Sequence, residues 1–124
     1  MSTIKTETLS TPSNATVPVD TVVNGTAKAW VNFNGDGVVA IRRAFNVSSV
    51  TDYSTGKYTV TFDTDMQDAN YAVLATSGGT NGRFTVNSPE TGGEHTISST
   101  TVTCYRDSTS SYDDSLYMNV AVFS

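Results

Sequence analysis

Residues 28–45 read KAWVNFNGDGVVAIRRAF, and the fold follows from how this stretch is read. Ala29, Val31 and Phe33 fall on one side of an extended chain while Lys28, Trp30 and Asn32 fall on the other. This is the two-residue period of a strand with one face on a core. Asn34, Gly35, Asp36 and Gly37 supply turn chemistry, since Asn and Asp bond their own backbone and Gly takes positive φ without steric cost. Residues 38–45 then return as the partner strand, so the stretch predicts a hairpin. Alternation leaves open whether Trp30 and Phe45 face the core or a subunit interface.

The same signals continue toward the C-terminus. Residues 47–51 predict a short strand, residues 52–56 a turn, and residues 57–62 a strand with Tyr58, Val60 and Phe62 inward, which makes a second hairpin. Residues 63–70 form a polar corner, and residues 71–76 are apolar enough to be a strand covered on both sides. A Gly-rich loop over 77–82 precedes a strand at 83–87, and PETGGE at 89–94 is another loop. Within residues 95–106 the apolar phase changes between Ile97 and Val102, the mark of a bulge or break. Residues 107–115 read as a long, solvated, acidic and Ser-rich loop, and residues 116–123 alternate to the end of the chain. No window combines a 3.6-residue apolar period with caps, so little or no helix is expected. Short strands with turn signals every 8–12 residues or so predict an all-β, antiparallel β-sandwich, jelly-roll-like.

Residues 1–26 differ from the rest. Up to residue 17 the only sizeable apolar side chains are isolated, at Ile4 and Leu9, with Pro12 between polar neighbours. Such a segment is an extended arm, ordered only along another surface. VPVDTVV from residue 17 is strongly β-prone, with Pro18 placing it at a strand edge or start. The reading is therefore an arm over 1–26 for assembly or attachment, with Ile4, Leu9, Val17, Val19 and Val22 as its contacts, and a sandwich domain over 27–124. The N-terminus has no apolar h-region, and no run approaches the ~18 residues of a membrane span, so neither a secretory signal nor membrane insertion is expected.

At 124 residues the chain has the length of a single soluble domain. Charged residues are 15% of it, with Thr, Ser and Asn in their place, so its surface is rich in hydroxyls rather than ions. A net charge of −5 argues against nucleic acid as a partner. Arg42 and Arg43 are the only adjacent basic pair, and on a strand they point to opposite faces. Three N-x-S/T triplets, at Asn14, Asn24 and Asn46, read as composition rather than glycosylation sites.

Catalytic constellations are hard to assemble from these residues. Cys104 is the sole cysteine, expected as a small buried hydrophobe, and His95 is the sole histidine, expected at a turn or strand edge. A Ser-His-Asp arrangement would rest on His95 alone, and no GxSxG motif is present. Asp63, Asp65 and Asp68, or Asp107, Asp113 and Asp114, are candidate carboxylate pairs for glycoside hydrolysis, but a domain this small has little material for cleft walls. The plainer reading of DTDMQD is a corner with Asp side chains capping backbone amides, and the competing one a calcium site. NGDG at 34–37 lacks EF-hand spacing and reads as a hairpin turn. The expectation is no enzyme, no cofactor and no metal. Binding is the better prospect, because Tyr53, Tyr105 and Tyr112 lie in or beside loops where a ring stacks on a sugar face among hydroxyl neighbours. With Asn81, Arg83, Glu90 and Asp113 they are the candidate residues for glycan or partner binding.

Residues 27–70, through KAWVNFNG, AIR, FNVSSVTD, GKYTVTF and DANYAV, resemble a module of tail-fibre and other virion proteins of bacteriophages, especially those of aquatic bacteria. MSTIKTETL with the VPVDTVVNGTAKAW entry is similar to the opening of such proteins, and the match fades beyond Ser77. The resemblance implies a virion appendage, usually homotrimeric, made in the host cytoplasm and joined to other virion proteins by its N-terminal segment. The β domain is then displayed toward a host-surface glycan. The alternative it implies is a capsid decoration or cement protein with the arm as clamp.

Overall fold

In the computed structural model, residues 2–79, 84–86 and 95–124 are described, the 84–86 segment by its backbone alone. The chain runs β1 (Thr8–Ser10), β2 (Thr16–Pro18), α1 (Val19–Gly25), β3 (Ala29–Asn34), β4 (Ala40–Phe45), β5 (Val47–Ser54), β6 (Lys57–Phe62), β7 (Ala72–Gly78), β8 (Phe84–Val86), β9 (Ser99–Arg106), β10 (Ser111–Tyr112) and β11 (Tyr117–Phe123). One sheet has the order β4-β3-β11-β7. The other runs β10-β9-β6-β5, with β8 also on β9. All the strand pairings described are antiparallel, so the fold is an antiparallel β-sandwich.

The core lies between the sheets and consists of the inward residues that alternation selects. Ala29, Val31 and Phe33 of β3 and Met118, Val120 and Val122 of β11 face Tyr58, Val60 and Phe62 of β6 and Val102 and Cys104 of β9, all of them buried. Burying side chains of the larger sizes contributes about 1.5–3 kcal/mol each. Phe33 and Tyr58 meet edge to face, with ring centroids 5.2 Å apart. Cys104 is buried and reduced, as its alternating context predicts.

The chain passes between the sheets at Asn46, which has φ +52. Its side-chain amide donates to Lys28 O (3.0 Å) and Thr64 O (3.1 Å), and its Oδ1 accepts from the Thr64 N–H (2.7 Å). Asn tolerates that conformation, and its bonds tie the β4–β5 crossover to the corner after β6. The corner is less polar than the sequence suggests, because Met66 and Tyr71 are both buried in the core.

Several sequence expectations are corrected. The arm is not uniformly extended, since β1 and β2 pair around a turn with Asn14 at φ +65. The β-prone VPVDTVV yields only the end of β2 before seven residues of helix. β propensity needs a partner strand, and β1 pairs no further than Pro18, so the following backbone satisfies its donors locally. β5 extends to Ser54 through a bulge rather than stopping at residue 51, because β6 remains long enough to pair with it. β7 extends to Gly78 and is covered on one side only, with Leu74 58% exposed, because a sandwich of two sheets covers only the inner face of each. The break in residues 95–106 is present, with regular pairing beginning at Ser99. The strand predicted at 83–87 is present as β8, while residues 80–82 of the first predicted loop and all of the second, at 89–94, lie outside the described residues.

Candidate functional site

β6 and β9 set up the candidate binding end. Their outward residues are Lys57, Thr59 and Thr61 against Thr103, Thr101 and Ser99 in register, and β5 adds Ser49 and Thr51 opposite Thr61 and Thr59. This face is therefore a lattice of hydroxyls, exposed along β5 and half-covered along β6 but buried at Thr101 and Thr103 of β9, and Thr59 and Thr101 join their side chains across the strands (Oγ1 to Oγ1, 3.3 Å).

At one end of the lattice the hydroxyls give way to aromatic rings. Tyr112 of β10 pairs with Tyr105 of β9, and their rings meet edge to face at 5.6 Å. The Lys57 ammonium sits 4.2 Å from the centre of the Tyr112 ring, within range of a cation–π contact. Tyr53 occupies the bulge of β5 beside Ser54, the register partner of Lys57, and is 60% exposed. Lys57, Tyr105 and Tyr112 thus converge on one end of one face, with Tyr53 exposed at the neighbouring bulge.

The acidic segment after β9 holds this end together and is not the solvated loop the sequence predicts. After a 3-10 turn at Asp107–Thr109 it doubles back, and Cys104 bonds both the Gly56 carbonyl (2.6 Å) and the Asp113 N–H (3.0 Å) on one strand edge. Because a strand residue points its N–H and C=O the same way, β10 continues the edge of β9 just beyond the β5–β6 turn. Asp114 Oδ1 accepts from the Gly56 N–H (2.7 Å), and the Tyr58 hydroxyl donates to Gly35 O (2.8 Å) with Asp114 Oδ1 at 3.1 Å. Ser115, fully buried, donates to Gly78 O (2.8 Å). Unpaired polar groups in such a place would be costly, so the segment folds inward to supply partners. Burial raises the Tyr58 phenol well above its ordinary value, and the Asp114 charge raises it further.

Two glycines make the approach possible. A Cβ at Gly56 would lie 2.5 Å from Cys104 O and 2.7 Å from Asp113 N, and the residue has φ +68. A Cβ at Gly35 would lie 2.5 Å from the Tyr58 hydroxyl oxygen.

The candidate residues fare differently. Tyr53, Tyr105 and Tyr112 are brought to the same end. Asp113 sits among them, but its carboxylate forms an ion pair with Arg106, so it positions the segment rather than facing solution. Asn81, Arg83 and Glu90 lie outside the described residues. Lys57 was not singled out in the sequence reading. Only the β6–β9 and β9–β10 registers place it, and alternation within 57–62 was its one local signal.

The other chemical candidates separate. Asp63 and Asp65 are exposed, while Asp68 accepts from the Asn70 N–H (2.8 Å), the amide cap expected of a corner. Asp36 and Asn34 bond within the β3–β4 turn. Among the described residues no three His, Cys, Asp or Glu side chains cluster to hold a metal ion. His95 lies against the Tyr71 ring with Nδ1 2.8 Å from Thr100 Oγ1. Burial raises the Tyr71 phenol, whose hydroxyl bonds Thr96 O and Ser99 O at 2.8 Å each. His95 and Tyr71 together close that end of the sandwich.

The assembly candidates Ile4, Leu9, Val17, Val19 and Val22 all sit on the arm. None of them is buried, only Val17 and Val19 are half-covered, and Ile4 is 91% exposed. No described helix is long and apolar enough to cross a membrane. No family model, no curated protein and no solved structure matches the chain.

Proposed function

We propose that the chain is a structural protein of a bacteriophage particle, a tail-fibre or receptor-binding appendage subunit working as a homotrimer. In this reading the arm joins it to other virion proteins and the aromatic end of the β5-β6-β9 face binds host-surface glycan. The observation that carries the binding half is the convergence of Tyr53, Lys57, Tyr105 and Tyr112 beside rows of hydroxyls. Rings supply flat apolar area for a sugar face, and hydroxyls donate and accept toward its oxygens. Weak single sites of this kind gain avidity when several copies are held together. The attachment half is supported by the resemblance of residues 27–70 to virion modules and by an arm in which no described residue is buried.

The test is binding of the purified chain to polysaccharide extracted from the host surface, wild type against Tyr53→Ala/Tyr112→Ala. Saturable binding by wild type and at least tenfold weaker binding by the variant are expected. No binding by wild type, or equal binding by both, removes the receptor role. Cryo-electron microscopy of the particle then separates the two virion positions. Density at the tail fits the appendage, and density over capsid lattice axes fits the decoration protein.

A further inference from the structure

We propose that the arm of one copy lies across the outer face of the β4-β3-β11-β7 sheet of a neighbouring copy, so that copies join head to tail rather than face to face. The inference deepens the reading of the arm as the assembly element, and it names the surface that receives it.

The outer face of this sheet is apolar along one cross-strand row. Register aligns Phe45 of β4, Trp30 of β3, Ala121 of β11 and Leu74 of β7. Phe45 is 54% exposed and Leu74 58%. The next row is polar, with Asn32 donating to Asn119 Oδ1 (2.6 Å) and Asn119 donating to Thr76 Oγ1 (3.3 Å). A contiguous apolar row with a polar border is the anatomy of a contact surface.

Charge narrows the occupant. In a chain of net charge −5, the four strands of this sheet contain Arg42 and Arg43 and no Asp or Glu. The two arginines share the outer side rather than opposite ones, because the β4 bulge turns Arg42 onto the Leu116 carbonyl and the Tyr117 ring while Arg43 stands in register with Asn32. Two such faces brought together would set arginine against arginine, so the complement is a segment with apolar side chains and carboxylates. The arm has both, in Ile4, Leu9, Val22 and Val23 with Glu7 and Asp20, against a single cationic side chain at Lys5.

The arm is also unsatisfied where it stands. A seven-residue helix with no buried residue and a hairpin of three-residue strands both fall below the size that is stable in isolation. Val22, Val23 and Phe45 line one groove of about 710 Å³, with Lys28 and Asp63 also on it, so the apolar row meets the root of the arm at Phe45. A segment entering there would touch both the receiving face and the donor arm of the same copy. Repeated, that head-to-tail contact closes a ring where the rotation between copies closes, and otherwise extends as an open chain.

The experiment uses two full-length variants, Leu74→Glu with the face spoiled and Leu9→Glu/Val23→Glu with the arm spoiled. Native mass spectrometry and light scattering measure masses from about 1 to 100 µM. Wild type is expected at a whole multiple of 13.2 kDa and each variant alone as a monomer. An equimolar mixture is expected to form a 1:1 heterodimer, because it offers one intact arm and one intact face. Phe45→Glu replaces Leu74→Glu if circular dichroism shows the latter unfolded. A monomeric wild type, an arm variant that still oligomerises, or a mixture that stays monomeric each overturns the inference. Those results leave attachment of the arm to the particle untouched, since that is read separately by the loss of arm-spoiled chain from assembled virions.

Discussion

Across β5, β6 and β9 the outward rows read Ser49–Thr61–Ser99 and Thr51–Thr59–Thr101, whereas across β4, β3, β11 and β7 one outward row reads Phe45–Trp30–Ala121–Leu74. Both faces have the same pleat, and both stand on the same core. Ser49 and Thr51 are exposed and Thr59 and Thr61 half-covered, so hydroxyls along β5 and β6 satisfied by water are equally satisfied by a ligand's oxygens, and that part of the first face is stable uncovered. Exposed Phe and Leu gain about 25 cal/mol for each Å² removed from water, so the second face favours permanent cover. The contrast fits the proposal of reversible recognition on one face and assembly on the other.

The largest effect is expected where the first face is anchored. Gly56→Ala places a Cβ against Cys104 O and Asp113 N at positive φ, and should cost about 3 kcal/mol or more in urea unfolding. Gly25→Ala, with open space around its added Cβ, is the control and should be neutral or better. Equal losses in the two variants would break the claim that the aromatic end is built by close approach.

Asp114→Asn keeps the size of the side chain and removes the charge that accepts from the Gly56 N–H and faces Tyr58. A loss of about 1–2 kcal/mol is expected. Loosening of the Tyr105–Tyr112 pair should accompany it, read by near-ultraviolet circular dichroism. Tyr105→Ala should lower the single-site affinity for a short soluble oligosaccharide about tenfold, while Leu74→Ser on the opposite face leaves that single-site affinity unchanged whatever it does to assembly. A Leu74→Ser chain that loses sugar binding would reverse the assignment of the two faces.

Tyr58 gives a pH signature. Its folded pKa is raised above the ordinary 10.0, so below about pH 10 both folded and unfolded chains hold the phenol proton and its contribution is complete. Above that the unfolded chain releases the proton while the folded chain keeps it, and stability falls as pH rises. Tyr58→Phe should flatten that part of the alkaline limb, and an unchanged slope would sink the account. Least of all, Thr51→Val on the hydroxyl face should change stability by no more than about 0.5 kcal/mol, because Thr51 is exposed.

The amino-acid sequence by itself determined the antiparallel sandwich and the inward sets of β3, β6 and β11. A two-residue period is a local property, and one buried face fixes its phase. It also marked the NGDG turn, the break before Ser99 and the burial of Cys104. Tertiary structure alone decided that Asp114 turns inward, because the partner that draws it is a backbone amide 58 residues away. It likewise turned residues 19–25 from strand to helix, since no neighbouring strand reached them to pair. Which outward residues become neighbours was decided there too. Lys57 meets Tyr112, and Phe45 lines up with Leu74, only through registers between strands distant in the chain, and alternation records the side of a sheet without recording the neighbour across it.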